Sequence, residues 1–541
     1  MMADHAAGPD NAALARELER FASLLDLSGA GYYSVRAYRR AAELVRSTPA
    51  PVAELVRADR ASALRGIGPG IEARLRELVE TGRLAELEEL ENRVRPELVG
   101  LGRLIGLGPQ RMLTVAEALG ISDVAGFRDA ARSGRLREAP GIGPATEQRI
   151  LRALEAERPR PRRGLTLTRA WELSSAIADE LGGVVAGDPR RFRDLSERLA
   201  VVVPTASPAE VLARFAQLPQ IVALLEREQT RAVGVTVEGI PVEVTAVPPE
   251  RFGTELVRAT GAPDYVEALG ALPEAADEAV LYGALGLPFA PPELREGAPS
   301  SEVPRLVELG DIRGDLHVHT TWSDGKASVL EMGLAARALG YEYVAICDHT
   351  PNVRVVPGLD ADALQRQGEE IAAANEELAP FRILRGAECD ILHDGTLDLP
   401  DSILAELDWV QASVHAGQRQ SRAQLTHRMT EAARHPAVRS ISHPQGRILN
   451  HRPPNAVDLE LLFEVCLETG TAIETNGLPD RIDLSAELVR EAIAADVRIT
   501  ASTDAHSVRG LGNMRLAVGT ARRGWATAAD VLNTQPLDDL L

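Results

Sequence analysis

The sequence predicts a multidomain α plus α/β chain, with a helical N-terminal region, a mixed α/β middle segment and a C-terminal βα barrel. Three observations carry this reading. Short amphipathic patterns interrupted by a glycine-centred repeat fill the chain up to Arg163. β-Branched, strand-like runs enter after Gly164. Beyond Gly314, apolar runs alternate with helix-length segments and end repeatedly in polar residues, which is the pattern of βα units around a parallel sheet. At 541 residues the chain is long enough for three or four domains.

Composition narrows the class. With 45% hydrophobic and 26% charged residues, the chain can bury real cores. Three cysteines, Cys347, Cys389 and Cys466, cannot form a disulfide framework and lie in apolar runs without CxxC spacing, so buried packing is expected of them. No long apolar run or charged leader is evident, so the expected compartment is the cytoplasm, with no membrane partner. One lysine, Lys326, stands against 58 arginines, and only His5 of 11 histidines precedes His317. Net charge is −20, yet residues 1–163 hold 26 arginines against 23 acidic residues. The only basic balance therefore lies in the N-terminal third.

In that third, Leu14, Leu18, Phe21, Leu24 and Leu25 fall at helical spacing, and Tyr32, Tyr33, Arg36, Tyr38, Arg39 and Arg40 form an arginine-aromatic cluster. Three turns then repeat: Gly66-Ile67-Gly68-Pro69, Gly106-Leu107-Gly108-Pro109 and Gly141-Ile142-Gly143-Pro144, each leading into a helical stretch. Such turns resemble helix-hairpin-helix motifs, in which glycines bring backbone N–H groups against a DNA phosphate without reading sequence. Gly66, Gly68, Gly106, Gly108, Gly141 and Gly143 are the expected DNA contacts. The Pro/Arg-rich segment Arg158–Arg163 ends the region. Expected boundaries are 1–90 for a first helical domain and 91–163 for the tandem repeats. A 164–292 middle domain, a 293–311 linker and a 312–541 barrel follow.

Seven strand-like runs define that last segment, among them Asp315–His319, Val344–His349, Leu384–Glu388, Val410–His415, Ser440–His443, Ala472–Asn476 and Ile499–His506. His317 and His319 are two apart on a strand and so share a face, as do Asp504 and His506. With Asp324, His349, Glu388, His415 and His443 they make nine imidazole or carboxylate groups converging on one barrel mouth. One ion takes four to six ligands, so nine argue for two or three divalent ions, with zinc, manganese or iron suited to this donor set. Ions so held activate water and clamp phosphate oxygens. Arg447 and Arg481 are candidates to hold a phosphate, whereas His393, His427, His435 and His451 read as surface residues.

The motifs Asp315–His319, Ser323-Asp324-Gly325, Asp348-His349, Ser442-His443-Pro444 and Thr503–His506 resemble, in order, those of the PHP (polymerase and histidinol phosphatase) family. The resemblance implies a distorted seven-stranded βα barrel with a trinuclear site, in which His317, His319, Glu388, Asp504 and Arg447 take the catalytic roles. Together with the upstream segments, the chain resembles the bacterial family X DNA polymerase/3′-5′ exonucleases. That implies 3′-5′ exonuclease or end-processing activity in repair, on gapped, nicked or 3′-ended DNA, with no protein partner expected.

Residues 164–292 resemble a degenerate palm of the polymerase-beta-like nucleotidyltransferases. The family's triphosphate signature Gly-Ser-x-Arg-Arg reads Gly187-Asp188-Pro189-Arg190-Arg191 here. The Asp-x-Asp positions fall on Arg198 and Ala200, and the third aspartate on Glu243. Asp188, Arg198, Ala200 and Glu243 thus predict loss of polymerase activity and no Mg²⁺ in the palm. Arg74 stands where the family's abasic-site lyase has a lysine, and an arginine cannot supply a neutral amine. The leading expectation is a DNA-binding, metal-dependent phosphoesterase. A phosphatase for a small monoester such as histidinol phosphate, and a non-catalytic DNA-binding scaffold, are the alternatives.

Overall fold

The computed structural model describes residues 9–27, 32–93, 114–115, 117–121, 124–155, 164–236, 238–353 and 356–541. They divide into two compact units. One holds residues up to Arg160 together with Ser207–Ala246, and the other holds Pro161–Ala206 together with Val247–Leu541. The segment read as 164–292 is therefore shared between them.

In the first unit, the helices Asn11–Leu27 and Tyr32–Ser47 pair along the predicted apolar stripe. Leu14, Leu18, Phe21 and Leu24 are buried, and Phe21 meets Tyr38 edge-on at 4.9 Å. Asn11 fastens the next turn: its amide donates to the Thr48 and Ala50 carbonyls at 2.7 and 2.6 Å, and its oxygen accepts from Val52 N–H at 2.8 Å. Residues 207–246 add the helix Pro208–Phe215 and the antiparallel strands Ile221–Arg227, Arg231–Thr236 and the start of Pro241–Val247. They belong with the helices because Val235 enters the same core. Gly239, at φ 76°, closes the contact, since a Cβ there would stand 2.5 Å from Leu44.

Two of the three repeated turns are described and match in detail. Gly68 caps the helix Pro69–Thr81 with Pro69 in its first turn, and Gly143 precedes the helix Pro144–Glu155. Ile67 and Ile142 are buried while the flanking glycines are exposed. Gly66 (φ 112°) and Gly141 (φ 77°) need glycine for their backbone angle. Gly68 and Gly143 do not, and a Cβ on either would meet nothing within 4 Å. The bare backbone there is not demanded by the protein's own packing. Gly106 and Gly108 lie outside the described residues.

The second unit is built around the barrel. Its strands are Gly314–Val318, Tyr343–Ile346, Arg382–Asp390, Trp409–Ser413, Val438–Ile441, Ala472–Asn476 and Ile499–Ser502. They form one seven-stranded sheet in sequence order, with every pair parallel. A parallel bridge from Val318 to Ala505, with His319 N–H donating to the Ala505 carbonyl at 2.9 Å, brings the two edges together and nearly closes the barrel. Crossover helices cover the outside, so the strands are almost wholly buried on both faces, with polar side chains such as Asp315, Ser440 and Thr500 set among the apolar ones. Cys347, Cys389 and Cys466 are free and buried, as expected.

Residues 164–206 pack on this barrel. Val184–Ala186 pairs antiparallel with Leu199–Pro204, and Leu167, Phe192 and Leu195 share a core with Leu449, Ile482 and Leu516. Helices Phe252–Thr260, Pro263–Leu269 and Glu278–Ala284 gather around Tyr265, Leu281 and Tyr282. Among the described residues, no helix is long and apolar enough to cross a membrane.

Candidate metal centre

All nine predicted ligands meet at the C-terminal ends of the barrel strands. Three overlapping groups have ligand atoms within 4.8 Å of one another: His319, Asp324, His349 and His506; His317, His319 and Asp504; and His349, Glu388 and His415. The ninth, His443, places Nε2 2.9 Å from Glu388 Oε1. Glu388 is the hub, with His349 Nδ1 at 2.8 Å and His415 Nε2 at 3.3 Å. His319 and His349 each belong to two groups, an arrangement suited to adjacent ions. His319 Nδ1 is buried without a hydrogen-bond partner, a cost that a cation's coordination would remove. The donor set and this orphaned nitrogen fit divalent metal binding.

Backbone strain marks the same place. His443 and Asp504 adopt φ of 27° and 53°, left-handed angles uncommon outside glycine. Glu474 and Asn476 on the sixth strand help to hold them. His443 N–H donates to Glu474 Oε2 at 2.8 Å, and Asn476 Nδ2 donates to Asp504 Oδ2 at 3.0 Å.

Glu474 was not among the residues expected in the site. Its Oε1 stands 2.7 Å from His317 Nδ1 and accepts from Gln411 at 2.9 Å, while its Oε2 also accepts from Ser442 Oγ at 2.8 Å. An Nδ1–H donated to Glu474 leaves His317 Nε2 free to ligate. Asp390 acts similarly on His415, accepting its backbone N–H at 2.9 Å. Asp348 holds the Asp324 loop, accepting from Thr320 N–H at 2.8 Å and from Gln367 Nε2 at 2.6 Å. The available signal was a carboxylate in the middle of a buried strand, which Glu474 shows and which motif spacing does not weigh.

Protons stand in for cations in the metal-free protein. Burial would raise Glu388 and Asp504, but the surrounding imidazoles outweigh it and hold both carboxyls well below their usual range. Burial likewise opposes charge on His415 and His506. Glu388 and Asp390 nevertheless lift the first to about 9, and Asp324 and Asp504 lift the second to about 9. His319 is pushed down to about 4 by burial, with the charges of His349 and His506 adding to it.

A histidine whose folded pKa exceeds its unfolded 6.5 contributes stability that is complete below pH 6.5 and lost as pH climbs through 9. The depressed carboxyls act only on the acid side. The melting temperature of protein stripped of metal should therefore fall between pH 6.5 and 9. Metal-loaded protein should hold or rise over the same interval, because deprotonated ligands bind metal more tightly. Calorimetry at matched pH checks this, and a parallel decline of both curves would contradict it.

Arg447 is not directed at the ligands. Its guanidinium is buried against the Ile482 carbonyl and donates to Asp194 at 2.8 Å. Arg481 comes closer to them, with Nε 4.0 Å from Asp504 Oδ2. His393, His427 and His451 are exposed and His435 is half-buried.

Among the described residues, the positions expected to form a degenerate palm hold no comparable cluster. Asp188 pairs with Arg191 at 2.5 Å, Arg190 grips Glu278 through two bonds of 2.7 and 2.8 Å, and Glu296 reaches both Arg191 and Arg193. Arg198 is exposed, Ala200 lies in the strand Leu199–Pro204, and Glu243 bonds Arg231 at 2.9 Å. Among the described residues, every grouping of three or more convergent metal-ligating side chains lies in the barrel. Arg74, at the would-be lyase position, is paired with Glu86 and lies over the Phe21 and Tyr38 rings, its Cζ 5.4 Å from each centroid.

A parallel barrel whose mouth gathers six histidines and three carboxylates into adjoining ligand groups defines a metal-dependent hydrolase. Comparison with known proteins resolves the class further. The chain is 34% identical, over 97% of both lengths, to the DNA polymerase/3′-5′ exonuclease PolX of Bacillus subtilis. It belongs to the PolX family. Residues 9–84 match the helix-hairpin-helix domain family and residues 101–156 match the SAM-like helix-hairpin-helix tandem family. Probable phosphatases of Acetivibrio thermocellus and Photobacterium profundum are each 30% identical, over 36% and 37% of this chain and 78% and 80% of their own.

Proposed function

We propose that this chain is a DNA-binding 3′-5′ exonuclease that processes DNA ends in repair, that its chemistry resides in the barrel, and that polymerase activity has been lost. The convergence of nine ligands at the barrel mouth, in a chain similar along its full length to a protein named as a 3′-5′ exonuclease, carries the reading. Two or three divalent ions, manganese, zinc or iron, fit the three ligand groups. When bound, they supply an activated water and charge to hold phosphate oxygens. His317, His319, His349, His415, His443, His506, Asp324, Glu388 and Asp504 would hold them, and Glu474, Asp390 and Asn476 fix the donors' directions. Arg481 is better placed than Arg447 to meet a phosphate oxygen; Arg447 positions the loop that carries it.

The helix-hairpin-helix turns at Gly66–Pro69 and Gly141–Pro144 present exposed backbone suited to phosphate, and the Gly106–Pro109 turn repeats their sequence. This favours gapped, nicked or 3′-ended DNA over a small monoester, because the probable phosphatases match the barrel segment alone. Loss of polymerase activity rests on Arg198 and Ala200 in place of carboxylates, and on Arg190 and Arg191 being neutralised by Glu278, Asp188 and Glu296. Three buried free cysteines suit a reducing cytoplasm.

A time course on labelled gapped, nicked and 3′-recessed duplexes tests the whole. Chelated protein should be inert, and added Mn²⁺ or Zn²⁺ should restore stepwise loss from the 3′ end. Primer extension on the same duplexes with Mg²⁺ or Mn²⁺ should give no product. Extension that Glu243→Ala abolishes would overturn the loss of polymerase activity, and a preference for histidinol phosphate over DNA would overturn the substrate.

A further inference from the structure

The only lysine of the chain, Lys326, stands two residues beyond the ligand Asp324, and its backbone N–H donates to the carbonyl of the ligand His506 at 2.9 Å. The loops bearing Asp324 and His506 are thereby tied side by side, with His506 Nε2 3.2 Å from Asp324 Oδ2. Outside this join lies a groove of about 580 Å³, lined by Lys326, Ala327, Glu331, Leu334, Ala335, Ser507, Val508 and Arg509. Its walls combine two features. Leu334 and Val508 are large apolar side chains left 39% and 47% exposed. Lys326 and Arg509 are exposed cations, and among the described residues neither is in an ion pair.

The acid in the groove does not cancel them. Glu331 is turned to its own helix, accepting from Ser328 N–H at 2.8 Å and Ser328 Oγ at 2.9 Å as part of the capping box of Val329–Ala338. The setting makes such cations consequential. The acidic excess of the chain lies beyond residue 163, so a polyanionic strand approaching the mouth meets repulsion unless local positive charge offsets it. An apolar floor with cations at its rim matches a nucleotide, which has a flat base and sugar on one side and a phosphate on the other.

We propose that this groove is the subsite for the nucleotide next to the phosphate under attack, with Lys326 and Arg509 holding the neighbouring backbone phosphate and Leu334 and Val508 supporting the base or sugar. The proposal rests on the exonuclease reading and deepens it by naming what the barrel itself grips. A compact ammonium on a flexible stem suits a contact that must release and re-form as the strand shortens.

Two measurements on the whole chain test it, the kinetics with metal loaded and the resonance with metal chelated. Lys326→Ala and Arg509→Ala should each raise KM for a labelled single-stranded oligonucleotide about tenfold, the effect of losing one charge-assisted contact. The ratio of kcat/KM for the oligonucleotide to that for bis-p-nitrophenyl phosphate, which has no neighbouring nucleotide, should fall by the same factor, and Lys326→Arg should recover most of it. Reductive ¹³C-methylation gives one lysine side-chain resonance, which should shift on adding oligonucleotide under metal chelation. An unmoved resonance, an unchanged KM, or an equal loss on both substrates would overturn the subsite. A wild-type chain that cleaves bis-p-nitrophenyl phosphate but no oligonucleotide would overturn the exonuclease reading, and the subsite with it.

Discussion

Replacing His317 and His319 together by alanine should lower hydrolysis of 3′-labelled DNA on the order of 10³-fold, while leaving DNA affinity within about twofold. Several kcal/mol of transition-state stabilisation attach to metal-assisted hydrolysis, and each 1.4 kcal/mol is about tenfold in rate. The two side chains belong to two of the three ligand groups and approach Glu388, the hub of the third. Their Nε2 atoms stand 3.2 Å apart, His317 Nε2 is 3.6 Å from Glu388 and His319 Nε2 is 3.2 Å from Asp504. Both are fully buried, so the double substitution also takes from buried Glu474 its imidazole partner, and some loss of melting temperature accompanies it. Circular dichroism and an electrophoretic DNA-binding assay separate this from collapse, because the helix-hairpin-helix turns belong to the other compact unit. A folded double variant that keeps a tenth or more of its hydrolysis would remove the barrel mouth as the site.

Glu474→Gln should cost 10- to 100-fold in metal affinity and activity, the usual cost of removing a carboxylate that orients a ligand. The substitution is nearly isosteric, so the argument is one of hydrogen-bond polarity. Oε1 accepts from Gln411 Nε2 and faces His317 Nδ1, and Oε2 accepts from Ser442 Oγ and His443 N–H. A glutamine has one oxygen and one NH₂. Turned one way, its NH₂ faces the His443 backbone N–H, which can only donate. Turned the other way, it faces the Gln411 amide and frees His317 to take the wrong tautomer. Either orientation buries two donors face to face, and Glu474→Asp should not rescue because the shorter arm cannot reach both sets. Isothermal titration with Mn²⁺ or Zn²⁺, beside hydrolysis rates, is the check. Wild-type affinity in Glu474→Gln would reduce Glu474 to packing.

Most of this centre could be read from the sequence because ligands at the ends of parallel strands are fixed by two local rules, the alternation of side chains and the convergence of strand ends. His317 with His319, and Asp504 with His506, needed nothing more. Glu474 and Asp390 escaped because their role is to aim another side chain, and aim depends on which strands become neighbours. Arg447 shows the same limit from the opposite side. Four residues after a ligand histidine, it promised a phosphate contact, yet a buried carbonyl and Asp194, 253 positions away, claim its guanidinium. The middle segment was legible as mixed α/β from its β-branched runs, such as Leu199–Val203. Its division between two compact units was not, because Val235 joins a helical core that begins at Leu14 and no local pattern announces a contact across 221 positions.

That division also sets an order for biosynthesis. The first unit cannot complete its core until Ala246 has been made, by which time Pro161–Ala206 has already emerged without the partners it needs. Leu167, Phe192 and Leu195 must wait for Leu449, Ile482 and Leu516, and the barrel cannot join its edges until Ala505 reaches Val318. At ribosomal speeds of ~5–20 residues per second, the wait lasts on the order of tens of seconds. During that interval the nascent chain carries an apolar face that has no partner yet. Slowing synthesis through the barrel, rather than through the N-terminal helices, is what should most endanger this fold in the cell.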